Sequence, residues 1–76
     1  MNKLLVILDD INPNVDYTQE DKLIDNKILS SLSILSLVTE IENEFDIEIS
    51  PIDLIPENFN SADALMKMIE NIQANQ

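Results

Sequence analysis

The chain has 76 residues, and its 15 acidic side chains outnumber 4 lysines to give a formal charge of −11; such a surface repels phosphate backbones and anionic lipid, which argues against nucleic-acid or membrane-surface binding. It contains no Cys and no His, which excludes disulfides, thiolate or imidazole metal sites, Cys nucleophiles and Ser-His catalysis. Apolar residues make up 45% of it, too many for a disordered segment, so the composition implies an acidic shell around one small core, a single domain over residues 1–76.

Leu4, Leu5, Leu8 and Ile11 recur at helical spacing, with Val6 and Ile7 widening the stripe. They predict a first helix from Asn2 to about Asn12, ended by Pro13, which cannot continue the hydrogen-bond ladder. The apolar run inside it is too short for a signal sequence or a membrane span, so a cytoplasmic location is expected. From Pro13 to Ser30 polar residues interrupt Val15, Tyr17, Leu23, Ile24, Ile28 and Leu29. A loop this long either contains a short turn of helix or is pinned across the core by those apolar residues.

Helix two is predicted from Ser31 to about Phe45, on Ile34, Leu37, Val38, Ile41 and Phe45, with Ser30 as its N-cap. Asp46–Ser50 alternates like a strand but has no partner strand; it is expected to be an extended connector that turns Ile47 and Ile49 inward. Pro51 is expected to open a short helical turn that Pro56 closes. Asn60-Ser61-Ala62-Asp63 has the form of a capping box with Asn60 as cap, leading into a last helix on Leu65, Met68, Ile69 and Ile72. The tail from Gln73 is expected to fray. The chain has no Gly, which sets aside an EF-hand calcium loop, and no metal or catalytic residue is expected.

Ser30-Ser31-Leu32, followed by Leu37-Val38-x-x-Ile41-Glu42-x-Glu44-Phe45-x-Ile47-x-Ile49, resembles the acyl and peptidyl carrier proteins, whose hallmark at the start of helix two is Asp-Ser-Leu. Ser30 stands where the family has Asp. The resemblance covers nearly the whole chain, most strongly from Leu23 to Ile69, and includes the long first loop. It implies an all-α four-helix bundle with three long helices and one short one, acting as a monomer and not as an enzyme. By the same resemblance, Ser31 would carry a covalent 4'-phosphopantetheine arm derived from coenzyme A, which holds acyl or aminoacyl groups as thioesters.

Physical chemistry suits this placement, because a phosphate at a helix N-terminus meets unpaired N–H groups and the positive end of the helix dipole, worth about 0.3–1 kcal/mol when exposed. The partners implied are a phosphopantetheinyl transferase, an acyl- or aminoacyl-activating ligase and a downstream transferase or synthase. Leu32, Leu35, Ser36, Glu40 and Glu42 are the implied partner-binding residues, and Val38, Ile41 and Ile49 would line the cavity that shelters the acyl chain in some family members. Fatty-acid carriers are typically acidic where this chain has Ser30, Ser33 and Ser36. That difference, with the segment Pro56–Ser61, is more similar to carriers of D-alanine or of specialised pathways.

Read from the residues alone, Ser31 is a first-turn capping serine, Leu32 and Leu35 are core leucines, and Glu40, Glu42, Glu44 and Asp46 are a solvated face. On those terms the chain is an unmodified acidic adaptor that binds a basic protein partner through helix two. Under either function the excess charge repels itself. The melting midpoint should therefore rise between about 0.01 M and 0.1 M salt, as the Debye length shortens from about 30 Å to about 10 Å. An unchanged or lower midpoint at the higher salt would show that repulsion does not limit stability.

Overall fold

The computed structural model describes residues 2–13, 15–26 and 29–75, with the backbone but not the side chain of Ser31. Asn14, Lys27 and Ile28 of the first loop therefore lie outside the described residues. Helix α1 spans Asn2–Ile11, α2 spans Ser31–Phe45, a 3₁₀ turn spans Pro51–Asp53, α3 spans Pro56–Phe59 and α4 spans Ala62–Ala74. The expected all-α bundle of three long helices and one short one is what forms. α1 packs on α2 and α4, and α3 on α4.

The periodic stripes become the core. Leu4, Ile7 and Leu8 of α1, Leu37 and Ile41 of α2, and Ala62, Leu65, Met68 and Ile69 of α4 are buried together with Phe59 of α3. Fully burying a Leu, Ile or Phe side chain contributes roughly 1.5–3 kcal/mol, so these stripes supply the main drive to fold. Val6, expected to widen the first stripe, is instead 63% exposed. Three successive apolar residues cannot all face one side of a helix, and Ile7 takes the inward place. Lys3 and Glu44 form an exposed ion pair between α1 and α2 at 3.6 Å, of a kind that contributes only about 0–1 kcal/mol.

No helix forms among the described residues of the first loop; the pinned alternative holds. Tyr17, Leu23 and Leu29 are buried in the common core, with Val15 and Ile24 packed against it. The Tyr17 hydroxyl donates at the end of α1, 2.7 Å from the Asn12 carbonyl oxygen and 3.1 Å from that of Leu8. The Leu8 carbonyl also receives the Asn12 N–H at 2.9 Å, so the hydroxyl ties the loop to the turn that closes α1. Burial, and then the negative charge of Asp9, raise the Tyr17 pKa above its ordinary value.

Helix α2 ends at Asp46, in the left-handed region at φ 53°, ψ 51°, with its N–H donating to the Glu42 carbonyl. That reversal sends the chain into the connector, where Ile47 and Ile49 are buried as expected. The Glu42 carboxylate accepts from the Ile49 N–H at 2.8 Å and fixes the connector against the helix, a charge-assisted bond of a class worth roughly 1.5–3 kcal/mol. Pro56 does not close the turn that Pro51 opens. It begins α3 at the first helical position, where its missing N–H costs nothing.

The cap of α4 also differs from the capping box. Ser61 is the N-cap, its hydroxyl accepting from the Ala64 N–H at 3.0 Å, whereas the Asn60 side chain reaches back to the first loop. The helix continues through Ala74, beyond the expected start of fraying at Gln73.

Two outcomes follow for stability. Asp46→Gly should raise it by roughly 0.5–1 kcal/mol, since glycine enters the left-handed region without the Cβ penalty and a carboxylate leaves the negative end of a helix. Thermal unfolding checks this, and a lower midpoint would contradict it. Tyr17 has its pKa raised in the folded state, so above about pH 10 the unfolded chain gives up that proton more readily than the folded one. The Tyr17 contribution should be whole below that pH and decline as pH rises toward the folded value. Urea titrations should show the stability gap between wild type and Tyr17→Phe narrowing above about pH 10; a constant gap would contradict the assignment.

Candidate functional site

The site expected at the head of α2 depends on how the helix begins. Ser30 has extended backbone, φ −83° and ψ 172°, and its hydroxyl accepts from the Ser33 N–H at 3.3 Å. The same hydroxyl lies 3.2 Å from Ser33 Oγ, to which it donates. Its carbonyl receives the Ile34 N–H at 2.9 Å, the first bond of the helical ladder. Ser30 is therefore engaged on both sides as a cap, as its sequence position predicts. Ser31 follows as the first helical residue, its side chain outside the description.

The first turn of α2 contains no acid. The positive end of the helix dipole is thus unopposed by a neighbouring carboxylate, and the leading N–H groups of a helix have no partners within it. Both properties suit an incoming phosphodiester, so the residues present fit a phosphopantetheine attachment.

Beyond the first turn, Leu32 is 78% and Leu35 is 65% exposed. The reading of these leucines as core is thereby overturned. Ser36 and Glu40 are exposed as well, and Leu35, Ser36, Thr39 and Glu40 line an open hollow of about 290 Å³. Four of the five expected partner-facing residues therefore stand in solvent. Glu42 differs: it is half-buried, with its carboxylate bonded to the Ile49 N–H. Its place among the acids of α2 carries no hint of that use, because the bond depends on where the connector returns.

A second apolar surface was not singled out by the sequence. Ile52 is 79% exposed, and Leu54 and Ile55 are partly so. Ile24, Ile34, Leu54, Ile55, Pro56 and Phe59 line a small hollow of about 100 Å³. Its lining is apolar throughout, and Ile34 lies one turn along α2 from Ser31. Of the residues expected to line a cavity, Ile41 and Ile49 are buried in the core and Val38 packs against it. Three isoleucine or leucine residues between two prolines were the available signal, since such a segment is too short to bury every apolar side chain. Among the described residues, no group of three or more acidic, His or Cys side chains could hold a metal ion, and no helix is long and apolar enough to cross a membrane.

No protein-family model matches the chain, and no solved structure matches it. Two curated proteins do. Aminoacyl carrier protein 2 of Bradyrhizobium diazoefficiens is 36% identical over 58 residues, covering 76% of this chain and 64% of that protein. Aminoacyl carrier protein 1 of the same organism is 37% identical over 54 residues, covering 71% of this chain and 59% of that protein. The matched segments thus span about three-fifths of each relative.

Proposed function

Because the chain belongs to the acyl and peptidyl carrier protein family, we propose that it carries acyl or aminoacyl groups as thioesters on a phosphopantetheine arm attached to Ser31. The arm's thiol supplies the thioester chemistry, which a chain without Cys cannot supply itself. In the attachment, the Ser31 hydroxyl oxygen bonds to the β-phosphorus of coenzyme A as the pyrophosphate P–O bond breaks. Adenosine 3',5'-bisphosphate leaves, and the hydroxyl proton passes to a base of the transferase. The chain acts as carrier and not as catalyst.

One observation carries the choice of serine. The Ser30 hydroxyl accepts from one group of Ser33 and donates to another, so its use as an acceptor of the arm would cost the helix its cap. Ser31 is the family's position, directly after the cap. The helix end favours the phosphodiester, while Leu32 and Leu35 offer an exposed apolar surface beside it for the transferase and for the enzymes that load and unload the arm.

The names of the two relatives support an aminoacyl cargo. The apolar hollow is too small to shelter a long acyl chain. A 150 Å³ apolar cavity holds benzene, so one of about 100 Å³ has room for roughly four carbons. None of its lining side chains is polar, so an aminoacyl group with its ammonium would remain in water, loaded by an aminoacyl-activating ligase and removed by a transferase or synthase. A cytoplasmic setting, where such ligases find ATP and coenzyme A, belongs to this proposal.

Incubation with coenzyme A and a broad-specificity phosphopantetheinyl transferase, followed by intact mass measurement, is the direct test. Wild type should gain one arm and Ser31→Ala none, with its helical signal retained. Ser30→Ala should still be modified, with a stability loss of roughly 0.5–2 kcal/mol from the missing cap. An arm on Ser31→Ala would overturn the assignment, and a wild type that gains nothing would leave the unmodified acidic adaptor as the better account.

A further inference from the structure

The segment leading to Ser31 is a long loop, yet its approach to α2 is held by one residue at the junction of α3 and α4. Asn60 lies between Phe59, which is buried at the end of α3, and Ser61, which caps α4. Fixed on both sides, it offers two acceptors to the loop. Its carbonyl receives the Leu23 N–H at 2.8 Å, and its Oδ1 receives the N–H groups of Ile24 at 3.0 Å and Asp25 at 3.3 Å. The Leu23 carbonyl in turn accepts from the Leu29 N–H at 3.0 Å, and Leu29 is buried immediately before the Ser30 cap. A continuous path of hydrogen bonds and backbone therefore runs from the α3–α4 junction through Leu23 and Leu29 to the first residue of α2.

We propose that Asn60 is a positioning residue for Ser31: its side-chain oxygen fixes the loop that sets where the first turn of α2 stands when a modifying or loading enzyme binds. The inference rests on the proposed use of Ser31 as the attachment site. The observed geometry also explains why the α4 cap falls to Ser61: Asn60 has helical backbone, φ −73° and ψ −21°, where α3 closes, and its side-chain oxygen is occupied by two loop N–H groups. Ile24, held by the same oxygen, forms one wall of the apolar hollow that Ile34 also lines. Asn60 thus holds the approach to α2 through its carbonyl and its side-chain oxygen together, and one wall of the hollow through the side-chain oxygen. In-line attack by a hydroxyl on phosphorus is sensitive to such placement, where an error of about 1 Å can cost on the order of a hundredfold in rate.

Two readouts test this on the full chain. Asn60→Leu keeps the side chain's shape but removes the acceptor, Asn60→Asp keeps an acceptor oxygen, and Asn60→Ser serves as the acceptor-shortened variant should Asn60→Leu not fold. In arm transfer from coenzyme A, well below the melting midpoint, Asn60→Leu should lower kcat by roughly tenfold with KM little changed, since docking surfaces are intact while orientation is not. Asn60→Asp should restore most of that rate, which a general loss of stability would not allow. By amide hydrogen exchange, Asn60→Leu should speed exchange at Ile24 and Asp25 and also at Leu29 and Ser33, with Leu65 and Ile69 of α4 unchanged. Faster exchange confined to Ile24 and Asp25, or wild-type kcat in Asn60→Leu, would overturn the proposal. A wild type that accepts no arm refutes the attachment reading instead, and exchange at Leu29 and Ser33 then decides by itself whether Asn60 controls the head of α2.

Discussion

A chain of this length cannot leave a long segment outside its core and remain folded, so attachment of the first loop governs much else in the molecule. Among its described residues, the segment between α1 and α2 has three that are buried, Tyr17, Leu23 and Leu29, and each comes with a backbone or hydroxyl bond that directs it inward. Apolar burial supplies the drive and hydrogen bonds supply the place, because burying a loop without partners for its polar groups would cost more than the burial returns. Once the loop is seated at Asn60 and at the end of α1, Ser30 arrives where it can cap α2. The site at that helix end depends on this seating.

What the sequence revealed was mostly what repeats. Leu4 and Leu8, Leu37 and Ile41, and Leu65 and Ile69 state their helices by spacing alone, and an alternating Ile47-x-Ile49 states an extended connector. Ser30 was legible as a cap because its bond is local, three residues along. Asn60 and Ser61 are adjacent and both are capping residue types; the close of α3 and the distant loop decide between them, and no local pattern carries that information. The same is true of Glu42, which looks like one more surface acid until the connector brings the Ile49 N–H to it. Pro56 was misplaced for a related reason, since a proline can end one element or start the next, and Phe59 docking in the core selects the second. The assignment of Ser31 came from family resemblance rather than periodicity, and the hollow that Ile24, Leu54 and Ile55 form with Ile34 came from tertiary structure alone.

Charge is distributed unevenly over this surface. The chain has a large acidic excess, yet the stretch from the Ser30 cap through Thr39 of α2 has no charged residue. Under the proposed function, an enzyme approaching that end would meet serines and leucines before the carboxylates that begin at Glu40. Long-range attraction to a basic partner would then act at encounter, and short-range apolar contact at docking. These two contributions respond differently to salt, which separates encounter from docking.

Tyr17 has one more consequence. It is the sole tyrosine of a chain without tryptophan, and its ring is buried where the first loop closes over the end of α1. Intrinsic fluorescence and near-ultraviolet dichroism of this protein therefore report chiefly on one junction, while far-ultraviolet dichroism reports on the helices. If the loop detaches before the bundle melts, the two signals will give different midpoints from a single sample. The molecule thus has a built-in optical probe of its loop, and agreement or disagreement of the two curves measures how far loop and bundle unfold as one unit.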